Sequence, residues 1–367
     1  MKSANWIRAL AVTALMASAC GGSTPTAAST PSPSASPSTA VFPSASPTVA
    51  NPCPPPSNRC LSLVTLRGSS SYVVRDLTDI SHPKTISNLG AIPAPVFLSA
   101  TELSYADSSG LVRAPLAGSP KTVVVKPDQV TLFAWSPDGN SAAYITNATD
   151  RSELHLVTAG RDRIASSMAP FNGGCETQAC ADGSDFRLAY SQDGHFISLV
   201  QPWGGPNFQL WNSDGQLLKS NDPGTGYRMS TWSANGLYAV GPAGVAVWRN
   251  AAVSSFLPGV SWIRPKGSSA GGQIVYEVRD KSGLAHVYIV DTATKKVREL
   301  KAARSEPAFL TSRYLWYRGE RRCVAADNCD PSFPVVASGK TYIYDLVDGT
   351  ETESVITSVA DAWPHPA

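Results

Sequence analysis

Seven aromatic residues recur at one station of a weak repeat, and their spacing limits the possible folds more than any other feature of the chain. Phe97, Trp135, Tyr190, Trp232, Trp262, Phe309 and Trp363 each stand in a short apolar run that leads into a turn. The steps between them are 38, 55, 42, 30, 47 and 54 residues, a mean of about 44. A unit of this length suits one four-stranded blade of a β-propeller. The two longest steps each contain a close cysteine pair, Cys175/Cys180 and Cys323/Cys329, and read as an ordinary unit plus a loop insertion. The seven station aromatics are expected in the core, with no ligand role.

Within a unit the apolar run is followed by a tight turn and three further alternating segments. Between Val130 and Met168 these read VTLFAWS, NSAAYITN, ELHLVTA and RIASSM, with Pro137-Asp138-Gly139 as the first turn. Asp-Gly between alternating runs is a strong hairpin signal, because glycine reaches positive φ without a steric penalty. The pair recurs at Asp193-Gly194, Asp214-Gly215 and Asp348-Gly349, with Asn235-Gly236 as a variant. The second segment often carries its own aromatic, as at Tyr105, Tyr144, Tyr238, Tyr276 and Tyr317.

Trp135-Ser136-Pro137-Asp138-Gly139, followed by Ala142-Ala143-Tyr144, resembles the WD40-like repeat of TolB-type propellers. The likeness is good in this unit and degenerate in the others, and it implies a repeat type rather than an activity. The fold expected is all-β: a propeller of seven four-stranded blades, or six if one unit is misassigned. Leu61 to Gly90 supplies three strands without an aromatic first strand, and Asp361-Ala362-Trp363 supplies an aromatic strand without the other three. Pairing the two ends makes a composite blade and leaves no free edge. Trp363 is then expected to be buried near Phe97 and Phe309.

The N-terminus carries an address. Lys2 and Arg8 precede an apolar stretch from Ala9 to Ala19, too short to span a bilayer at about 20 residues. The stretch ends in Met-Ala-Ser-Ala-Cys-Gly-Gly, which resembles a bacterial lipoprotein signal with Cys20 as the lipidated residue; a plain secretory signal cleaved near Ala19 is the alternative. Residues 1–19 are therefore expected to be a signal peptide and 20–52 a lipidated, Ser/Thr/Pro/Ala-rich tether. Residues 53–367 are expected to be the propeller. The tether has too few large apolar groups to offset the entropy of ordering. The resemblance implies a membrane anchor on the extracytoplasmic side.

Two of the 30 Lys and Arg residues lie in the leader, so 28 remain against 28 Asp and Glu. No basic run of the kind nucleic-acid binding needs is present. Besides Cys20, the six cysteines cluster as Cys53/Cys60, Cys175/Cys180 and Cys323/Cys329, which favours three local disulfides in an oxidising compartment. No histidine is near a pair, so no zinc site or other metal is expected, and no cofactor motif occurs. Gly267-Ser268-Ser269-Ala270-Gly271 matches the nucleophile-elbow pattern but sits in a Gly/Ser-rich hairpin, where the required strand-to-helix turn is missing.

Alternating strand directions put the two insertions on one face and the short Asp-Gly turns on the other. Disulfide-pinned loops are where binding residues concentrate. The candidate binding face comprises Trp203, Glu176, Asp182, Asp185, Arg321, Arg322, Asp327 and Asp330. The bland alternative is that the charges are solvated and that Trp203 packs on a neighbouring blade. The function expected is a non-catalytic scaffold that binds an envelope protein or glycan. The rival is a hydrolase or lyase acting on cell-wall or polysaccharide substrates, with an acid/base pair drawn from Asp182, Asp185, Asp327 and Asp330.

Overall fold

A computed structural model describes residues 60–65, 71–91, 95–126, 130–170, 187–200, 208–221, 227–249, 252–268, 272–324, 327, 329 and 334–363. They form 28 strands and no α-helix. The chain opens with β1 (Leu61–Thr65), β2 (Ser71–Asp76) and β3 (Lys84–Ala91). Blade two is β4 (Val96–Phe97), β5 (Glu102–Asp107), β6 (Gly110–Pro115) and β7 (Thr122–Val125). Blade three is β8 (Leu132–Trp135), β9 (Ser141–Asn147), β10 (Ser152–Thr158) and β11 (Arg161–Met168). Blade four is β12 (Arg187–Tyr190), β13 (Phe196–Val200), β14 (Phe208–Asn212) and β15 (Leu217–Asn221). Blade five is β16 (Met229–Ser233), β17 (Gly236–Gly241), β18 (Gly244–Arg249) and β19 (Ala252–Pro258). Blade six is β20 (Ile263–Gly267), β21 (Gln273–Arg279), β22 (Ala285–Asp291) and β23 (Val297–Ala302). Blade seven is β24 (Arg304–Phe309), β25 (Tyr314–Arg322), β26 (Val335–Asp345) and β27 (Glu351–Ser354).

The last strand, β28 (Asp361–Trp363), closes the ring. It pairs antiparallel with β1, Leu61 opposite Trp363 and Leu63 opposite Asp361, giving a sheet ordered β28-β1-β2-β3. Seven four-stranded antiparallel sheets result, so the six-blade alternative falls away. The Asp361 carboxylate accepts the Phe97 N–H at 2.7 Å, tying the closing strand to blade two. Trp363 packs with Leu61, Val74, Phe97 and Leu103, as expected of its Phe97 side. It is only partly buried, however, and Phe309 belongs to a different cluster, between blades six and seven. Part of the Trp363 ring borders the axial space, and its apolar contacts are with blades one and two.

The core is a set of slabs between blades. Seven apolar clusters each join neighbouring blades, such as Ile145, Leu156, Leu188 and Leu199 between blades three and four. The second-strand tyrosines Tyr144, Tyr238, Tyr276 and Tyr317 are buried in these slabs, and Tyr105 is buried in a small cluster within blade two. Two of them reach the outermost strand of their own blade. The Tyr144 hydroxyl donates to Asp162, and that of Tyr317 to Glu351. Burial raises both phenols, and the carboxylate partners raise them further.

The repeat motif has a local explanation in its turn. Ser136 Oγ donates to Asp138 and accepts the Ser141 N–H at 2.9 Å. In blade four Ser191 Oγ donates to Asp193 and accepts the Phe196 N–H, also at 2.9 Å. Gly139 and Gly194 complete these turns at φ of 69° and 72°, where a side chain would be strained. A serine, an aspartate and a glycine at fixed offsets thus satisfy one tight connection between strands one and two.

One station was misplaced by the spacing. Trp262 precedes β20 and lies wholly buried in an aromatic group with Tyr238, Phe256 and Tyr276. The residue at the end of the sixth inner strand is Gly267. Ser268 follows it and donates its N–H to Gln273 O, as Ser136 does to Ser141 O and Ser191 to Phe196 O. Moving the station from 262 to 267 changes the flanking steps from 30 and 47 residues to 35 and 42. The aromatic pattern misled because a buried tryptophan five residues early fills the slab where the repeat residue has no side chain.

Candidate functional site

Strand order separates two faces. Connections between strands two and three, and between blades, emerge on one side; connections one-to-two and three-to-four emerge on the other. Met168 ends a fourth strand and Arg187 begins the next first strand, while β25 and β26 are second and third strands. Both cysteine-bearing insertions therefore leave the ring on the same face. The connection of 201–207, between β13 and β14, leaves there too. The turns at Asp138-Gly139, Asp193-Gly194, Asp214-Gly215, Asn235-Gly236 and Asp348-Gly349 all fall on the opposite face. So does the start of β1 at Cys60, which is buried and disulfide-bonded.

Of the residues expected on the binding face, Trp203, Glu176, Asp182, Asp185 and Asp330 lie outside the described residues, as do Cys20, Cys53, Cys175 and Cys180. Arg321, Arg322 and Asp327 are described. Cys323 and Cys329 form a disulfide with Cα atoms 6.4 Å apart. Arg321 grips Asp327 with both terminal nitrogens, at 2.5 and 2.6 Å, and the Val324 N–H donates to the same carboxylate at 2.8 Å. This fork holds the Asp327 carboxyl down at about 2. Asp327 therefore stays ionised at neutral pH and has no proton to give as a general acid. Its role is to fold the bridged loop, which leaves Arg322 and Val324 exposed at the surface. Cys323, Asp327 and Cys329 lie close enough together to suggest a metal site, but both sulfurs are spent in the bridge.

Beneath this loop the boundary between blades six and seven is charged. Glu277 is fully buried and receives Arg264 Nη1 at 2.7 Å and the Glu306 N–H at 2.8 Å. Burial raises its carboxyl, and the Arg264 charge works against that. Arg279 joins Glu320 at 3.0 Å, and Glu320 accepts the Ala285 N–H from the neighbouring blade. Arg318 pairs with Glu306 at 3.3 Å. The inner strands supply this network by bulging: register shifts occur in β20 and β24, with Arg264 and Glu306 at φ of 48° and 55°. Positive φ is costly for side-chain-bearing residues and is sustained here by the ion pairs.

The inner strands also enclose a cavity of about 450 Å3 along the axis of the ring. First strands of six blades contribute to its wall, including Trp135, Arg187, Tyr190, Trp232, Lys266 and Asp361. Burial is the main cause that raises the Tyr190 phenol, to about 12. Of the cavity lining, Phe97, Trp135, Tyr190, Trp232 and Trp363 are station aromatics that the sequence assigns to the core with no ligand role. The only signal of the cavity was a charged residue at the head of an otherwise apolar inner strand, Arg187 before Leu188-Ala189-Tyr190. A second, open cleft of about 720 Å3 lies on the turn face between blades four and five and shares Ser191, Gln192 and Trp232 with the axial cavity.

No protein-family model matches the chain, and no curated protein matches it in sequence. Solved structures resemble it in fold. TolB from Acinetobacter baumannii superposes with a TM-score of 0.47 at 15% identity, over 83% of this chain and 65% of that one. A protein from Lactobacillus plantarum gives 0.50 at 13% identity, over 82% and 96%. A prolyl endopeptidase gives 0.50 at 13% identity, over 82% of this chain and 50% of that one. The chain thus spans less than two thirds of the TolB chain and half of the endopeptidase. At these identities the likeness is one of fold, and propellers host unrelated functions.

Proposed function

We propose that the protein is a non-catalytic binding module of the cell envelope, tethered outside the membrane through lipidated Cys20 and engaging a protein or glycan with its insertion face. The observation that carries this reading is topological. The two longest connections, 169–186 and 323–334, belong to one face, and Arg321, Asp327 and the Cys323–Cys329 bridge shape one of them. A loop stiffened in this way loses less entropy on binding than a free one. The short Ser-Asp-Gly turns opposite present few side chains. Asp327, one of the four carboxylates that could serve hydrolysis, is neutralised by Arg321, which favours binding over turnover.

The reading is tested by binding purified envelope polysaccharides and cross-linked envelope proteins to the parent chain and to face-specific variants. Arg322→Glu and Trp203→Ala should weaken capture at least tenfold. Val347→Asp, on an exposed turn of the opposite face, should leave it unchanged. Equal loss in all three, or turnover of a polysaccharide that Asp182→Ala or Asp185→Ala abolishes, would refute it. The anchor is tested separately by mass spectrometry of the N-terminal peptide: an unmodified Cys20 would remove the membrane from the proposal.

A further inference from the structure

Two hydrogen-bond donors border the axial cavity without acceptors. Arg187 lines it, and its Nη1 is buried with no hydrogen-bond partner; Gln192 Nε2, on the turn that ends the same inner strand, is in the same state. Such groups are rare in folded proteins, since a buried donor without an acceptor costs its desolvation. The other charges in the wall do not relieve Arg187. One Asp361 oxygen takes the Phe97 N–H, and both Asp361 and Lys266 have partners. Among the described residues of the wall, Arg187 and Lys266 stand against Asp361, an excess of one positive charge.

The rest of the wall is aromatic. Trp135 and Trp232 point their indole N–H groups away from the axis, to Ser104 and Ser198 of the preceding blades, each at 2.9 Å. Their remaining ring surface, with Phe133, Tyr190 and Trp363, borders the cavity. At the sixth inner strand Gly267 replaces the station aromatic and sends its N–H to Thr231, so no ring from that blade fills the space. A volume of about 450 Å3 lies within the range of small-molecule pockets.

We propose that this axial cavity is a binding site for a small ring-bearing carboxylate, with the carboxylate on Arg187 and the ring against Trp135, Tyr190 and Trp232. A guanidinium presents a planar fork that matches a carboxylate in two parallel hydrogen bonds, and aromatic faces accept the flat side of a sugar or aryl ring. The site is independent of the insertion-face reading: it lies on the axis and uses none of those residues.

The experiment titrates the full chain with benzoate, D-glucuronate and the uncharged analogue benzamide, following tryptophan fluorescence and melting temperature. At least one of the two acids should bind with one-to-one stoichiometry, shift the emission and raise the melting temperature; benzamide should do neither at the same millimolar concentration. Benzoate alone would identify an aryl acid, and glucuronate alone a sugar acid. Arg187→Met should weaken acid binding at least tenfold, yet melt no lower than the parent, since it removes a buried N–H donor that has no acceptor. Arg187→Lys keeps the charge and loses the fork, so it should bind the acid weakly but still prefer it to the amide. If Arg187→Met fails to fold, the acid-over-amide preference of the parent and of Arg187→Lys decides the matter. Absence of binding by both acids, equal binding of the amide, or acid affinity unchanged in Arg187→Met would overturn the proposal.

Discussion

Blades two to five and blades five to seven solve the same packing problem differently. In the first region the inner strands β8, β12 and β16 pair without register shifts, and two of the three boundaries are locked by one indole hydrogen bond, Trp135 to Ser104 and Trp232 to Ser198. In the second, β20 and β24 bulge, Gly267 takes an aromatic station, and the boundary between blades six and seven is held by Glu277, Arg264 and the Glu306 N–H. An indole buries a large apolar surface and asks for one acceptor. A buried carboxylate must be fully satisfied, or its desolvation outweighs what it contributes. The repeat therefore tolerates loss of its signature residue only where neighbouring blades supply a complete polar network.

Both regions depend on the ring being closed, so the largest effect should come from opening it. Truncation after Ser358 removes β28, the Asp361 tie to Phe97 and the Trp363 packing on Leu61. It exposes the inner edge of β1, whose backbone groups lose their partners in β28. The truncated chain should lose cooperative unfolding by calorimetry or aggregate; a melting curve like the parent's would mean that blade one is stable as three strands.

The comparison itself predicts unequal sensitivity to single changes. Glu277→Ala strands Arg264 and the Glu306 N–H in a buried site and should cost about 3–5 kcal/mol in urea unfolding. Trp232→Phe keeps most of the apolar surface, loses the bond to Ser198 and should cost about 1 kcal/mol. Similar losses for the two variants would abolish the distinction between the regions.

A finer test uses serines at one register position. Ser62, Ser104 and Ser198 lie opposite Ala362, Val96 and Ala189, each one residue before a station aromatic. Ser104 and Ser198 accept an indole N–H from the next blade. In the blade after Ser62 the station residue is Phe97, which has no donor, and Ser62 Oγ is buried without a partner. Ser62→Ala should be neutral or stabilising, while Ser104→Ala should destabilise by about 1 kcal/mol. Reversal of that order in denaturant titrations would undo the account of the repeat as an indole lock.

The smallest effect belongs to the insertion loop. Asp327 titrates near 2 in the folded protein, against about 3.9 for an unperturbed aspartate. A depressed carboxyl contributes stability above the unfolded value and loses it as pH falls through the folded one. The Arg321–Asp327 fork should therefore hold at pH 5 and open between about pH 4 and 2. Amide exchange at Val324, whose N–H Asp327 accepts, should rise in that window after correction for the intrinsic rate. Asp327→Asn should show the faster exchange already at neutral pH.

Much of the ring was legible in sequence because its determinants are local. Ser136, Asp138 and Gly139 lie within one turn, and the apolar run Ala142 to Ile145 is a property of one strand. The closing strand was legible too, since an aromatic first strand without followers implies partners elsewhere. The sixth station was not, because Trp262 has the right chemistry five residues from the right place and only strand pairing distinguishes it from Gly267. The insertion face was legible as topology, and Arg321 and Asp327 as charges beside a bridge. That they bind each other was not, since opposite charges six residues apart meet only if the loop turns back on itself.

The sequence by itself determined the repeat, its turns and the composite blade, and narrowed the count to seven blades or six. These follow from short-range rules: strand periodicity, glycine at positive φ, and the need to leave no edge unpaired. Only the tertiary structure decided which side chains share a boundary or the axial space. Arg187, Gln192, Trp232, Lys266 and Asp361 are scattered over 175 positions and come together only when the ring closes. The physical reason is that each inner strand presents its residues to adjacent blades and to the axis at once. What faces the axis is therefore fixed by strand register and bulges, which are properties of pairing between segments and not of any one segment.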